Sequence, residues 1–210
     1  MNRAHDFNLG KAAHAALAGD NPPSAWDDRL RAALKDALVD THYREGRFLL
    51  VVIMVVAVLS LATDLLVAPQ NPKGLWPGKS SQMAMEILDS LTKKYSIDAD
   101  RRYVTGLSSG GMGTYYCLIE RSDYFAAGVP ICGRGDTSKA ELIAKIPVWG
   151  FCGDKDGFAA KMRAMNDAVK KAGGNWKYTE YPGVGHNSWG RAYATGDLPA
   201  WLFSQSRSKK

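Results

Sequence analysis

Two hydrophobic periodicities alternate along the chain from about residue 65 onward. Short apolar runs rich in β-branched residues predict strands, and apolar residues three and four positions apart predict helices. Because strands alternate with helices, the pattern predicts a mostly parallel sheet with helices on both faces. The predicted strands are Leu65–Ala68, Tyr103–Thr105, Ala126–Ile131, Pro147–Cys152 and Trp176–Tyr181, and the predicted helices begin near Ser80, Met112, Ala140, Lys161 and Pro199.

Residues 1–46 have a different pattern from the rest of the chain. Residues 1–23 are rich in Ala, Gly and Asn and end in two prolines, which is typical of a loosely ordered arm. From Ser24, apolar residues such as Trp26, Leu30 and Leu34 recur at helical spacing. The sequence therefore predicts an amphipathic helix that ends near Gly46, used for packing against the domain or for association with a membrane surface.

The stretch from Phe48 to Thr63 carries no charge and has a β-branched centre. A spanning helix needs about 20 apolar residues, so this run reaches that length only if it continues through Ala68. A secretory signal would have a charged start, which Arg44 and Arg47 supply, but it would not lie so far from the amino end. A buried parallel strand fits the composition best. Membrane association through residues 48–68 stays an alternative.

The overall charge of the chain is +6, with 27 basic and 21 acidic residues. The basic residues are scattered apart from a terminal cluster, Arg207–Lys210, so we expect a solvated tail and no nucleic-acid partner. Three cysteines are an odd number, and each lies in an apolar run. This pattern favours a reducing compartment such as the cytoplasm, while a membrane-anchored or secreted protein stays open.

Ser108 lies between Gly106 and Gly110, after a β-prone run and before an apolar helical pattern. In a nucleophile elbow the chain turns sharply between strand and helix, and glycines two residues before and after the serine prevent a side-chain collision. The following helix points its amino-terminal N–H groups toward an oxyanion formed near the serine. The motif therefore predicts a serine nucleophile at position 108.

Asp156 and His186 each follow a predicted strand, as Ser108 does. The carboxyl ends of parallel strands meet at one edge of a sheet, so the three side chains are expected to lie together. Histidine can take the proton of the serine while a carboxylate orients the imidazole. Two alternatives stay open: Asp154 could be the acid, with Asp156 merely capping the next helix, and His186 could be a packed histidine.

Taken as a set, five segments resemble the α/β-hydrolase esterases related to polyhydroxybutyrate depolymerases and to feruloyl and acetylxylan esterases, and also the catalytic domain of prolyl oligopeptidases. The resemblance covers about residues 65–206. The segments are Val67–Pro72, Asp98–Gly111, Phe125–Gly133, Ile146–Asp156 and Tyr181–Trp189.

The resemblance implies an α/β-hydrolase domain over residues 47–210, with Ser108 as nucleophile, Asp156 as acid, His186 as base and the Ser109 N–H as an oxyanion donor. Relatives usually carry a His-Gly pair in the loop that gives the second oxyanion donor. No His-Gly pair occurs before Gly106. We therefore expect the amino-terminal part of the sheet to be reduced or altered.

The function expected from the sequence is hydrolysis of a small-molecule or polysaccharide-linked carboxylic ester through an acyl-enzyme, without a metal or organic cofactor. Two alternatives are a catalytically weak or inactive homologue that acts as a binding protein, with or without a membrane tether, and a peptidase of the prolyl oligopeptidase type. The oligomeric state is not predicted. Candidate walls of the substrate pocket are Trp76, Arg134, Asp136 and Trp189.

Overall fold

One six-stranded sheet organises the part of the chain that the structure describes. The structure is a computed structural model, and it describes residues 52–58, 63–69, 76 and 78–209. The strands lie in the order β2-β1-β3-β4-β5-β6. They are β1 (Val52–Val58), β2 (Thr63–Val67), β3 (Ile97–Leu107), β4 (Ala127–Ile131), β5 (Trp149–Gly153) and β6 (Lys177–Tyr181). The helices are α1 (Lys79–Lys94), α2 (Ser109–Glu120), α3 (Ala140–Ile143), α4 (Ala159–Lys171), α5 (Trp189–Tyr193) and α6 (Leu198–Ser204), with 3₁₀ turns at Thr137–Lys139 and Arg207–Lys209.

The direction of β1 differs from that of the other strands. Strands β3 to β6 are parallel, whereas β1 is antiparallel to both β2 and β3. Residues 59–62 alone separate β1 from β2, and a parallel connection needs a crossover of roughly a dozen residues or more. The prediction of a strand within Phe48–Thr63 is confirmed for Val52–Val58, but the expectation that it runs parallel was wrong.

The core of the sheet lies at its centre. All five residues of β4 and all five residues of β5 are buried. Because successive side chains of a strand point to opposite faces, this pattern means that both faces are covered. Two of the largest buried side chains, Phe151 on β5 and Ile131 on β4, are fully enclosed there. The predicted layer of helices on both faces is confirmed for this part of the sheet.

One set of contacts joins α1 to the end of α2, and a second set joins the segment after α6 to β3. The Arg121 guanidinium, after α2, donates to both carboxylate oxygens of Asp89 on α1 at 2.8 and 2.6 Å. The Tyr103 hydroxyl on β3 donates to the Gln205 carbonyl oxygen at 2.9 Å. Near the amino end of the same strand, the Arg207 guanidinium donates to the Ala99 carbonyl oxygen at 3.3 Å. The segment after α6 therefore lies along β3, away from the end that carries Ser108.

Most predicted elements appear close to their expected bounds, and two differ. Residues Ile97–Arg102, expected to turn the chain into the elbow strand, already belong to β3, and the pairing with β1 is irregular there. Helix α5, Trp189–Tyr193, was not predicted from the sequence. The amino-terminal arm and the amphipathic helix of residues 1–46 lie outside the described residues, so the domain division stays a prediction. No helix among the described residues has the length and apolar character needed to span a membrane.

Candidate active site

Ser108 lies at the sharp turn between β3 and α2. Its backbone has φ 53° and ψ −118°, a conformation that non-glycine residues rarely adopt and that stores strain at functional sites. A Cβ on Gly106 would lie 2.5 Å from the Gly110 carbonyl oxygen, so a side chain at this position would force the turn open. The Ser108 N–H donates to the Ile131 carbonyl oxygen at 3.0 Å. This bond ties the turn to the end of β4.

Three side chains form a continuous hydrogen-bonded chain at the carboxyl ends of β3, β5 and β6. The Ser108 Oγ lies 2.9 Å from His186 Nε2. The other ring nitrogen, His186 Nδ1, lies 2.9 Å from Asp156 Oδ2. The Asp156 side chain is 2% exposed, while that of His186 is 36% exposed. The structure therefore brings together the three residues that the sequence selected, with the carboxylate buried and the imidazole open to solvent on one side.

Asp156 is held by further donors. Its Oδ1 accepts the Phe158 N–H at 2.9 Å, and its Oδ2 accepts the Cys152 thiol at 3.4 Å. Asp154 instead accepts the Gly183 N–H at 2.8 Å and shapes the turn after β6. The two carboxylates that follow β5 thus have separate partners, and Asp156 is the one that contacts His186.

Ser109 begins helix α2 directly after Ser108. The N–H groups in the first turn of a helix have no acceptor within the helix, and they carry its positive dipole end. The Ser109 hydroxyl accepts the Trp76 N–H at 3.2 Å. This bond connects the residue after the nucleophile to the segment that precedes α1, and the Ser109 N–H stays the candidate oxyanion donor.

The four predicted wall residues lie in different environments. Trp189 packs edge to face against the His186 ring with centroids 5.9 Å apart. Trp76 is 1% exposed, so it is not a wall of an open pocket. Arg134 is exposed. Asp136 is exposed and accepts two hydrogen bonds from Ser138, which lower the pKa of its carboxyl. Trp189 is therefore the one of the four with a contact to His186.

Two neighbours of the site were not selected from the sequence. Phe158 places its ring 5.6 Å from that of His186. Cys132, at the end of β4, accepts the Ser108 N–H on its sulfur at 3.3 Å and has φ 40°. Burial raises the pKa of its thiol to about 12. A positive φ on a non-glycine residue at the end of a buried strand is a tertiary feature, so composition carried no signal for it.

The comparisons with known proteins agree with this geometry. Residues 70–166 match the prolyl oligopeptidase family. The bifunctional acetylxylan esterase/xylanase XynS20E of Neocallimastix patriciarum is 31% identical over 78 residues, which are 37% of this chain and 12% of that protein. An oxidized polyvinyl alcohol hydrolase of a Pseudomonas species is 38% identical over 57 residues, which are 27% of this chain and 15% of that protein.

A solved structure extends the likeness from sequence to fold. The crystal structure of a thermostable esterase matches with a TM-score of 0.65 and 34% identity, covering 68% of this chain and 44% of that one. The chain is thus similar to α/β-hydrolase esterases in both sequence and fold. The predicted α/β-hydrolase fold and the recognition of this family are confirmed. The chain spans less than half the length of each of these three matched proteins.

Proposed function

We propose that the chain hydrolyses carboxylic esters through an acyl-enzyme formed on Ser108. The observation that carries the proposal is the pair of 2.9 Å contacts that link Ser108 Oγ to His186 and His186 to Asp156. A serine hydroxyl is a poor nucleophile at neutral pH, and an adjacent base activates it. The relation to esterases supports an ester rather than another acyl group as the substrate.

The proposed reaction has two stages. His186 Nε2 takes the proton of Ser108 as its Oγ attacks the ester carbonyl carbon, and then gives that proton to the departing alcohol. A water molecule, deprotonated by His186, releases the acid and restores Ser108. Asp156 keeps the imidazole proton on Nδ1 and stabilises the imidazolium. Because the Asp156 side chain is buried and fixed by three donors, its orientation does not have to be rebuilt in each turnover.

The oxyanion of each tetrahedral intermediate would lie over the amino end of α2. The Ser109 N–H is the donor that the elbow supplies, and the helix dipole adds to it. Trp189 and Phe158, which flank the His186 ring, would contact the alcohol or acyl portion nearest the base. The acetylxylan esterase named above suggests small acyl groups, on free molecules or on a polysaccharide, as the first substrates to test.

Labelling with a fluorophosphonate probe tests the proposal directly. The wild-type protein should be labelled and should hydrolyse a nitrophenyl acetate, and Ser108→Ala should lose both properties. Ser138→Ala removes an exposed serine away from the His186 contact and serves as the matched control, which should keep both. A folded wild-type sample that takes up no label would exclude an activated serine.

The match to the prolyl oligopeptidase family favours one second candidate, a peptidase that uses the same three residues. A peptide nitroanilide and a nitrophenyl ester, offered to the same preparation, separate the two activities. Faster turnover of the peptide at equal concentration would replace the esterase proposal, whereas ester turnover without peptide turnover supports it.

A further inference from the structure

Three side chains with metal-binding atoms converge behind the nucleophile. One ligand atom each from Cys132, Asp156 and His186 lies within 4.8 Å of the other two. The three ligand atoms are a sulfur, a carboxylate oxygen and an imidazole nitrogen. Cysteine, histidine and carboxylate are the side chains that zinc and related soft divalent cations prefer. The esterase chemistry proposed above uses two of these residues and leaves the Cys132 sulfur without a role.

The spacing is close to that of a metal site. With metal–ligand bonds of about 2.1–2.3 Å, the ligand atoms of a tetrahedral site lie about 3.5 Å apart. His186 Nδ1 and Asp156 Oδ2 are already 2.9 Å apart. The other two pairs of ligand atoms lie within 4.8 Å, so each would have to approach by about an ångström. The His186 ring is the side chain free to make this movement, because it is 36% exposed while Cys132 is fully buried.

The backbone holds the sulfur in place. Cys132 adopts φ 40° at the end of β4, and its N–H donates to the Phe151 carbonyl oxygen at 2.8 Å. This unusual conformation directs the thiol toward Ser108, whose N–H it accepts at 3.3 Å. The arrangement is thus fixed by two neighbouring strands rather than by a mobile loop.

We propose that a thiophilic divalent cation, Zn²⁺ or Cd²⁺, binds Cys132 Sγ, a carboxylate oxygen of Asp156 and a ring nitrogen of His186, and reversibly blocks the site. Binding forms a metal–thiolate bond, and the thiol proton leaves to solvent. If the cation takes Nδ1, the imidazole proton moves to Nε2; if it takes Nε2, it occupies that lone pair. In both cases Nε2 no longer accepts the Ser108 proton.

Cadmium titration tests the binding step without any need for turnover. A cadmium–thiolate bond gives a charge-transfer absorption in the ultraviolet, so the titration is carried out on the Ser108→Ala protein, which keeps all three ligands. One equivalent of Cd²⁺ should saturate the signal. Cys132→Ser and Cys132→Gly should both lose it, and the glycine variant suits the positive φ of this position, so it should fold.

Cys117 provides the matched control, because it is equally buried and lies on α2 beside Ser81. Cys117→Ala should keep the full absorption, and Cys152→Ala should keep it as well. No absorption in the folded Ser108→Ala protein, the same absorption in both Cys132 variants, or its loss in Cys152→Ala would overturn the proposed site.

A second test measures the inhibition of ester hydrolysis by the cation, and it rests on the proposed esterase function. Micromolar Cd²⁺ should abolish ester hydrolysis by the wild-type protein, and a chelator should restore it. The Cys132→Gly variant should need an at least tenfold higher concentration of Cd²⁺ for the same inhibition. A normal cadmium signal in a protein that hydrolyses no ester would reject the proposed function and leave the metal site supported. Ester hydrolysis by a protein that gives no cadmium signal would reject the metal site and leave the proposed function supported.

Discussion

The two sides of the sheet differ in strand direction, because one of them contains a reversed strand. On the side of β3 to β6 every strand is parallel, so Ser108, Asp156 and His186 all emerge at one rim. On the other side β1 lies antiparallel between β2 and β3. Its last residue, Val58, pairs with Ile97 at the amino end of β3, so β1 ends at the rim opposite Ser108.

This difference separates two parts of the proposed catalytic apparatus. The hydrogen-bonded chain of Ser108, His186 and Asp156 depends on β3, β5 and β6 alone. By the resemblance to known esterases, the second oxyanion donor comes from a loop that follows the strand before Val67. In this chain β1 precedes the strand that contains Val67, and β1 ends at the rim opposite Ser108. In the proposed mechanism the parallel half would activate the serine, while oxyanion support would depend on the half that contains the reversed strand.

The largest effect within the parallel half is expected from Asp156→Asn. An amide at this position favours the wrong imidazole tautomer, and ester hydrolysis should fall about 10⁴-fold. Asp154→Asn is the matched control, because this carboxylate also follows β5 but bonds the Gly183 N–H. Steady-state kinetics of both variants check the assignment. Equal losses in the two variants would contradict the separate partners seen here.

A kinetic comparison with a similar esterase measures how far the reversed strand lowers turnover. The loss of one oxyanion donor typically lowers turnover about 10²–10³-fold. The present chain should therefore hydrolyse a nitrophenyl acetate about 10²–10³-fold more slowly than the thermostable esterase, with kcat rather than KM carrying the difference. Equal kcat values would mean that another group of this chain supplies the second donor.

Gly106→Ala should strain the junction between β3 and α2. The added methyl would lie 2.5 Å from the Gly110 carbonyl oxygen, and both backbones are fixed by the sheet and the helix. Overpacking of this kind costs about 1–3 kcal/mol of the free energy of unfolding. Gly190→Ala is the control, since its methyl would meet no atom within 4 Å. Denaturant unfolding of the two variants should differ in midpoint.

Much of this site was predictable because its residues directly follow strands in the chain. The glycines around Ser108 and the positions of Asp156 and His186 required knowledge of strand ends alone. The choice between Asp154 and Asp156 required knowledge of the turn after β6. In that turn the Gly183 N–H, which is distant in the sequence, donates to Asp154. Cys132 was missed for a similar reason: its contact with Ser108 exists because β4 pairs with β3. The direction of β1 follows from the short connection at residues 59–62, once its strand bounds are known.

The smallest effect concerns the ion pair that joins α1 to the end of α2. Asp89 on α1 and Arg121 after α2 are partly exposed, so Arg121→Gln should lower the free energy of unfolding by about 0.2–1 kcal/mol near neutral pH. The hydrogen bond from Arg121 lowers the pKa of the Asp89 carboxyl. A carboxyl whose pKa is lower in the folded state stabilises the fold at pH values above its unfolded-state pKa. This stabilisation is lost as the pH falls through its folded-state pKa. The difference between variant and wild type should therefore vanish in acid, and a constant difference would assign it to packing.

The attachment of the last described residues has a practical consequence for using this protein on a surface. Gln205 is bound to Tyr103 in the middle of β3, and Arg207 is bound to Ala99 near the amino end of that strand. A support or fusion partner joined after Arg207 would therefore approach from the side of the sheet opposite Ser108. Immobilised in this way, the protein would present Ser108, its proposed nucleophile, outward, where an ester carried on a solid polymer could reach it.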